Sequence, residues 1–81
     1  MTIAEAIQLG IQHHQAGQFK EAEALYRQVL AQEPNNPDGL QLLGLIAHTF
    51  GRNDIAIDLM SRSLQFGPPN PAVYNNLGEA L

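Results

Sequence analysis

The dipeptide Leu9-Gly10 recurs as Leu43-Gly44 and again as Leu77-Gly78, each time 34 positions further along. The same shift lays His14 on His48, Gly17 on Gly51, Ala22 on Ala56 and Leu25 on Leu59. It also lays Leu30 on Leu64, Pro34 on Pro68, Asn36 on Asn70 and Pro37 on Pro71. Self-similarity at a fixed period of this size marks an array of stacked supersecondary units, none of which can bury its apolar face alone. The chain of 81 residues therefore divides into units 3–36 and 37–70 and the opening of a third, 71–81, within one domain.

Each unit reads as two helices. The first opens at Thr2, where TIAE has the form of a capping box with Glu5 reaching back to the cap. Ile3, Ala6, Ile7, Gly10 and Ile11 then follow at three- and four-residue steps. Gly17 is placed to end the helix in the left-handed region. A second helix is expected over Phe19–Gln32, with Ala22, Leu25, Tyr26, Val29 and Leu30 on one face. Pro34 stops it, because the residue before a proline is pushed out of the helical region. Asn36-Pro37 restarts the chain as N-cap and first helical residue. The second pair is expected over 37–50 and 54–65, with Gly51 as the break and Asn53 as the cap, and Asn70-Pro71 opens a fifth helix. Gly10, Ala22, Gly44 and Ala56 fall where two antiparallel helices would cross closely. A glycine inside a helix costs about 1 kcal/mol relative to alanine, so its repetition points to a shared packing constraint.

Composition narrows the partners. Four Lys and Arg against eight Asp and Glu give a net charge of −4. Such a chain has little to offer a phosphate backbone or an anionic membrane surface. The N-terminal MTIAEAIQLG has neither the basic segment nor the continuous apolar stretch of a signal peptide. No apolar run approaches the roughly twenty residues that span a bilayer. A soluble, cytoplasmic protein is expected, with no nucleic acid or membrane partner. There are no cysteines, hence no disulfide or thiolate metal site.

The joint pattern resembles the tetratricopeptide repeat, whose unit is a helix–turn–helix of about 34 residues. The first unit supplies Leu9, Gly10, Gly17, Phe19, Ala22, Tyr26 and Pro34. The second supplies Leu40, Leu43, Gly44, Gly51, Ala56 and Pro68, and the fragment Tyr74, Leu77 and Gly78. Departures are Ala6, His13, Ala47, Asn53 and Met60, which stand where the family favours larger or aromatic side chains. The resemblance implies an all-α fold: a right-handed αα superhelix of five helices, two hairpins plus one terminal helix. It further implies a non-catalytic protein-interaction module with no cofactor.

In the resembled family the first helices of successive units line a concave groove. Carried over, the partner-binding candidates are Ile7, Gln8, Ile11 and His14, then Gln41, Leu42, Leu45 and His48, then Asn75 and Asn76. Ile7, Ile11, Leu42 and Leu45 would form an exposed apolar strip, the mark of an interface, or would pack between adjacent helices. The members that clamp a C-terminal carboxylate need cations where this chain has Ile7, Ile11, Leu42, Ala72 and Asn76, so that mode is excluded. YNNLGEAL is similar to the asparagine ladder of the superhelix in O-linked N-acetylglucosamine transferases, with Asn76 as a rung and Gln8 and Leu42 at the equivalent places.

His13, His14 and His48 raise the question of a metal. Equivalent side chains on neighbouring helices lie about 10 Å apart with no carboxylate placed to complete a site, so solvated groove histidines are expected instead. Nothing in the sequence pairs a nucleophile with a base or forms a phosphate-binding loop. Glu23 and Arg27 form a solvated ion pair on the second helix. An alternative makes the chain the N-terminal piece of a larger enzyme, such as a glycosyltransferase. A terminal helix without its partner would also leave Tyr74, Leu77 and Leu81 to drive homo-oligomerisation.

Overall fold

The computed structural model describes residues 1–67, which fold into four α-helices: α1 (Ile3–Gln15), α2 (Phe19–Gln32), α3 (Pro37–Thr49) and α4 (Asn53–Phe66). The expected fifth helix lies outside the described residues. Helices pack in chain order, α1 on α2, α2 on α3 and α3 on α4, as in a helical-repeat solenoid. Among the described residues no strand occurs, and no helix is long and apolar enough to cross a membrane.

Local chemistry sets most of the boundaries. The Thr2 hydroxyl accepts from the Glu5 N–H at 3.1 Å, and the Thr2 N–H donates to Glu5 Oε1 at 2.9 Å, completing the capping box. Those hydrogen bonds, the backbone one first, hold the Glu5 carboxyl below its ordinary pKa. Asn36 caps α3 by accepting from the Gly39 N–H at 2.9 Å, with Pro37 at the first helical position.

The two intra-unit turns are copies of each other. In the first, the Gln18 N–H donates to the His13 carbonyl at 2.8 Å and the Gly17 N–H to the His14 carbonyl at 3.1 Å. In the second, the corresponding bonds run from Arg52 to Ala47 at 2.8 Å and from Gly51 to His48 at 3.0 Å. This is the Schellman closure, which requires a left-handed residue; Gly17 and Gly51 supply it at φ 81° and 76°. Once Gly51 has turned the chain, Arg52 takes the N-cap position, and Asn53 is already helical. The expectation of Asn53 as a cap is therefore corrected. Its side-chain oxygen instead meets His48 Nδ1 at 3.3 Å.

The core runs through both units. Ile7 and Ile11 of α1, Tyr26 and Val29 of α2, and Leu42 and Ile46 of α3 form one buried cluster, closed by Ala6 and Ala22. Small residues sit at the crossings as the repeat demands. A methyl group added at Gly10 would come within 2.5 Å of the Tyr26 ring, and one at Gly44 within 3.1 Å of Met60 Cγ and 3.4 Å of the Ala56 carbonyl. Gly39 does the same between units, facing Leu30 and Val29 of α2. Ser63, buried on α4, donates to the Pro37 carbonyl at 2.8 Å and ties that helix to the start of α3.

Candidate functional site

The helices that would line a groove are α1 and α3, the first of each unit. Their buried and exposed faces follow from which side meets the partner helix. On α1 the residues Ala6, Ile7, Gly10, Ile11 and His14 face inward, and Gln8, Gln12 and Gln15 are exposed. On α3, Leu40, Gln41, Leu42, Gly44, Ile46 and Ala47 are buried, Leu45 is half-buried, and His48 and Thr49 are exposed.

This placement divides the sequence candidates. Gln8 and His48 stand in solvent, where a partner could reach them. Ile7 and Ile11 are each 8% exposed and Leu42 is wholly buried, so of the two expectations packing between adjacent helices holds for these three and the exposed apolar strip does not. The physical reason is the depth of the junction between units: α2 and α3 close over α1, and Ile7, Ile11 and Leu42 fill the space between them. Leu45 packs against the same cluster. Gln41 is buried at the place where the first unit has Ile7, and its side-chain oxygen has no hydrogen-bond partner among the described residues. Asn75 and Asn76 lie outside the described residues, as do Tyr74, Leu77 and Leu81.

The two equivalent histidines part company. His14 is buried, its Nδ1 3.5 Å from the Tyr26 hydroxyl and its ring set edge-on against Phe19 at 5.4 Å between centroids. The expectation of a solvated His14 is corrected on this point. Phe19 covers it, whereas the equivalent residue over His48 is the small, polar Asn53, so His48 stays exposed. Burial pushes the His14 pKa below its ordinary 6.5, because the charged ring would lose its hydration. The same burial raises the pKa of the Tyr26 phenol. His13 pairs with Gln18 across the first turn. Among the described residues, no group of three or more His, Asp or Glu could hold a metal ion.

Polar side chains are exposed on both α1 and α3. Amide side chains at Gln8, Gln12 and Gln15, the imidazole of His48 and the hydroxyl of Thr49 offer both donors and acceptors. The Thr49 hydroxyl is itself engaged with the Leu45 carbonyl at 2.9 Å.

Large apolar side chains are exposed elsewhere. Phe50, Ile55, Ile57, Leu64 and Phe66 all belong to the second turn and α4, and none was singled out from sequence as a surface residue. A signal for three of them was present in the repeat itself: Phe50, Ile55 and Ile57 stand where the first unit has Ala16, Glu21 and Glu23.

A family model described as tetratricopeptide repeat matches residues 13–81. Tetratricopeptide repeat protein 7B from Homo sapiens is 34% identical over 65 residues, covering 80% of this chain. The chain spans 8% of the length of that relative. No solved structure matches.

Proposed function

The chain belongs to the tetratricopeptide-repeat family, and from that premise we propose that it is a non-catalytic module holding an extended segment of a partner protein on the α1/α3 side. Repeats of this family mediate protein–protein interactions. The observation that carries the finer reading is the exposure of polar side chains on both helices, Gln8, Gln12 and Gln15 on α1 and His48 and Thr49 on α3. An extended peptide carries one N–H donor and one C=O acceptor per residue, and amide side chains can match both. Gln8 and His48 are the residues assigned to this contact, and Asn75 and Asn76 would extend it in the third unit. Ile7, Ile11 and Leu42 act on it through the core that sets the spacing of the two helices. The net charge of −4 supports a protein partner over nucleic acid.

The test is selection of short random peptides against the full chain, followed by titration of Gln8→Ala and His48→Ala. Loss of affinity in both, with the helical circular dichroism unchanged, is the expected result. Peptides that bind the two variants as tightly as the original chain would refute the assignment.

A second reading, self-association, is favoured by α4. Leu30 of α2 packs on Gly39 of the following unit, while its equivalent Leu64 is 68% exposed and Ile57 beside it 65%. We propose the units as 3–36, 37–70 and 71–81, with this flank of α4 as the face on which a further helix, from this chain or from a second copy, would stack. Light scattering that gives a mass rising with concentration, and lowered by Leu64→Glu, supports it; a constant monomer mass opposes it. A chain spanning 8% of its relative also suits a segment of a larger protein. An open reading frame continuing past codon 81 into an enzyme would make the module an accessory to that enzyme.

A further inference from the structure

A cleft opens where α2, α3 and the turn into α4 meet, and none of Gln8, Gln12, Gln15, His48 or Thr49 lines it. Its floor is apolar, made by Leu43, Ala47 and Leu59. Phe50, 59% exposed, and Ile55, 50% exposed, stand beside that floor. The Phe50 ring is already fixed, edge-on to Phe19 at 5.5 Å between centroids, so a ligand would not have to order it. The rim is made by Glu23, Arg27 and Arg52.

Charge selects the occupant. The chain as a whole has twice as many acidic as basic side chains, with four cations in all. Two of those four stand on this rim against a single carboxylate, and that carboxylate is engaged: Arg27 Nε donates to Glu23 Oε1 at 3.3 Å. Arg52 has no ion pair among the described residues. The repeat itself does not ask for these residues. At the same register the first unit has Ala16, Gln18 and Glu21 where the second has Phe50, Arg52 and Ile55. An aromatic ring, a guanidinium and a branched apolar side chain thus replace a small, a neutral and an acidic residue.

We infer that this cleft is a second docking surface, on the opposite side of α3 from the exposed groove residues, and that it takes an acidic protein segment. The segment would seat a side chain of leucine or phenylalanine size against Phe50, Ile55 and Leu59 and bring a neighbouring carboxylate to Arg52. A buried apolar anchor supplies affinity in such contacts, while rim charges set preference and on-rate. An anionic lipid surface could meet Arg52 as well, but a chain of net charge −4 is repelled by it.

The test uses the full chain and two labelled peptides in which leucine and phenylalanine alternate either with aspartate or with lysine. Fluorescence anisotropy should show binding of the aspartate peptide and not of the lysine peptide. Arg52→Glu and Ile55→Glu should each weaken it by about tenfold or more, the size expected for an anchor or a paired charge. Arg52→Glu should also gain affinity for the lysine peptide. Arg52 is the N-cap and Ile55 lies in the first turn of α4, both exposed, where an added carboxylate suits the helix dipole, so folding is preserved and circular dichroism verifies it. Gln8→Ala and His48→Ala should leave this binding unchanged, which separates it from the groove. The inference is overturned by no binding of the aspartate peptide at millimolar concentration, or by equal binding of both peptides. It is also overturned by insensitivity to Arg52→Glu and Ile55→Glu, by loss in the groove variants, or by phosphatidylserine vesicles binding the chain with the same Arg52 dependence.

Discussion

Gly10 and Gly44 occupy the same register in successive units, yet replacing each by alanine should move stability in opposite directions. Alanine in a helix interior is favoured over glycine by about 1 kcal/mol, and this gain is common to both sites. The opposing term differs. At Gly10 the new methyl carbon would lie 2.5 Å from Tyr26 Cε1, 3.0 Å from Cδ1 and 3.2 Å from Cζ. Carbon atoms rest at about 3.5–4.0 Å, so the ring must retreat by roughly 1 Å. Tyr26 is wholly buried and its hydroxyl faces His14, which leaves it nowhere to go without disturbing the core. Overpacking of this kind costs about 1–3 kcal/mol, giving a net loss of about 1 kcal/mol after the helix gain. At Gly44 the closest atom is Met60 Cγ at 3.1 Å, with Ala56 O and Leu59 Cβ at an ordinary 3.4 Å. Met60 is half-buried and flexible and can yield, so a net gain of about 0.5–1 kcal/mol survives. Urea unfolding followed by circular dichroism reads this difference of about 1.5–2 kcal/mol, which in a domain of this size separates the two melting temperatures by roughly 6–16 °C. Adding Tyr26→Met, the residue type of the second unit, to Gly10→Ala should recover most of the loss. Two alanine variants shifting in the same direction, or a double variant no better than the single one, would refute the reasoning.

Three further outcomes follow from the placement of the groove-side residues. Ile11→Ala and Leu42→Ala should each destabilise the fold by about 2–4 kcal/mol in urea titrations, as core truncations do, in contrast to the small effect expected of surface residues. Gln41→Leu should raise stability by up to about 1 kcal/mol, because it removes a buried amide oxygen that lacks a partner among the described residues. Burial lowers the folded pKa of His14 below the unfolded 6.5. Its contribution to stability is therefore complete above about pH 6.5 and is lost as the pH falls toward the folded pKa, because the unfolded state takes up the proton first. Unfolding midpoints measured between about pH 5 and 7 should fall with acid, and His14→Phe should flatten that part of the profile.

The parts of this molecule written in local chemistry were legible without coordinates. Thr2 with Glu5, Gly17, Asn36 with Pro37 and Gly51 each act on backbone groups within a few residues, so their consequences do not depend on where other helices lie. The repeat made the pairing of α1 with α2 and α3 with α4 legible too, since Gly10 and Gly44 mark the same crossing. What escaped was the depth of each helix face. Ile7, Ile11 and Leu42 sit on an edge of the helical stripe, and the closeness of the neighbouring helix alone decides whether an edge is groove or core. His14 escaped for a related reason. Equivalence to His48 suggested a shared environment, but Phe19 and Asn53, five residues on in each unit, give one histidine a cover and the other a hydrogen-bond partner. The cleft at Phe50 and Ile55 is not legible in the repeat, because it is made by positions at which the two units differ.

The central claim is that partner segments are read by polar side chains on the exposed faces of α1 and α3 and not by an apolar strip. Chemical-shift mapping of the uniformly ¹⁵N-labelled chain, titrated with a peptide selected against it, tests this most directly. Perturbations are expected to concentrate at Gln8, Gln12, Gln15, His48 and Thr49, with the side-chain amides of the glutamines among the largest. Perturbations confined to α2 and α4, with those five residues unmoved, would contradict it.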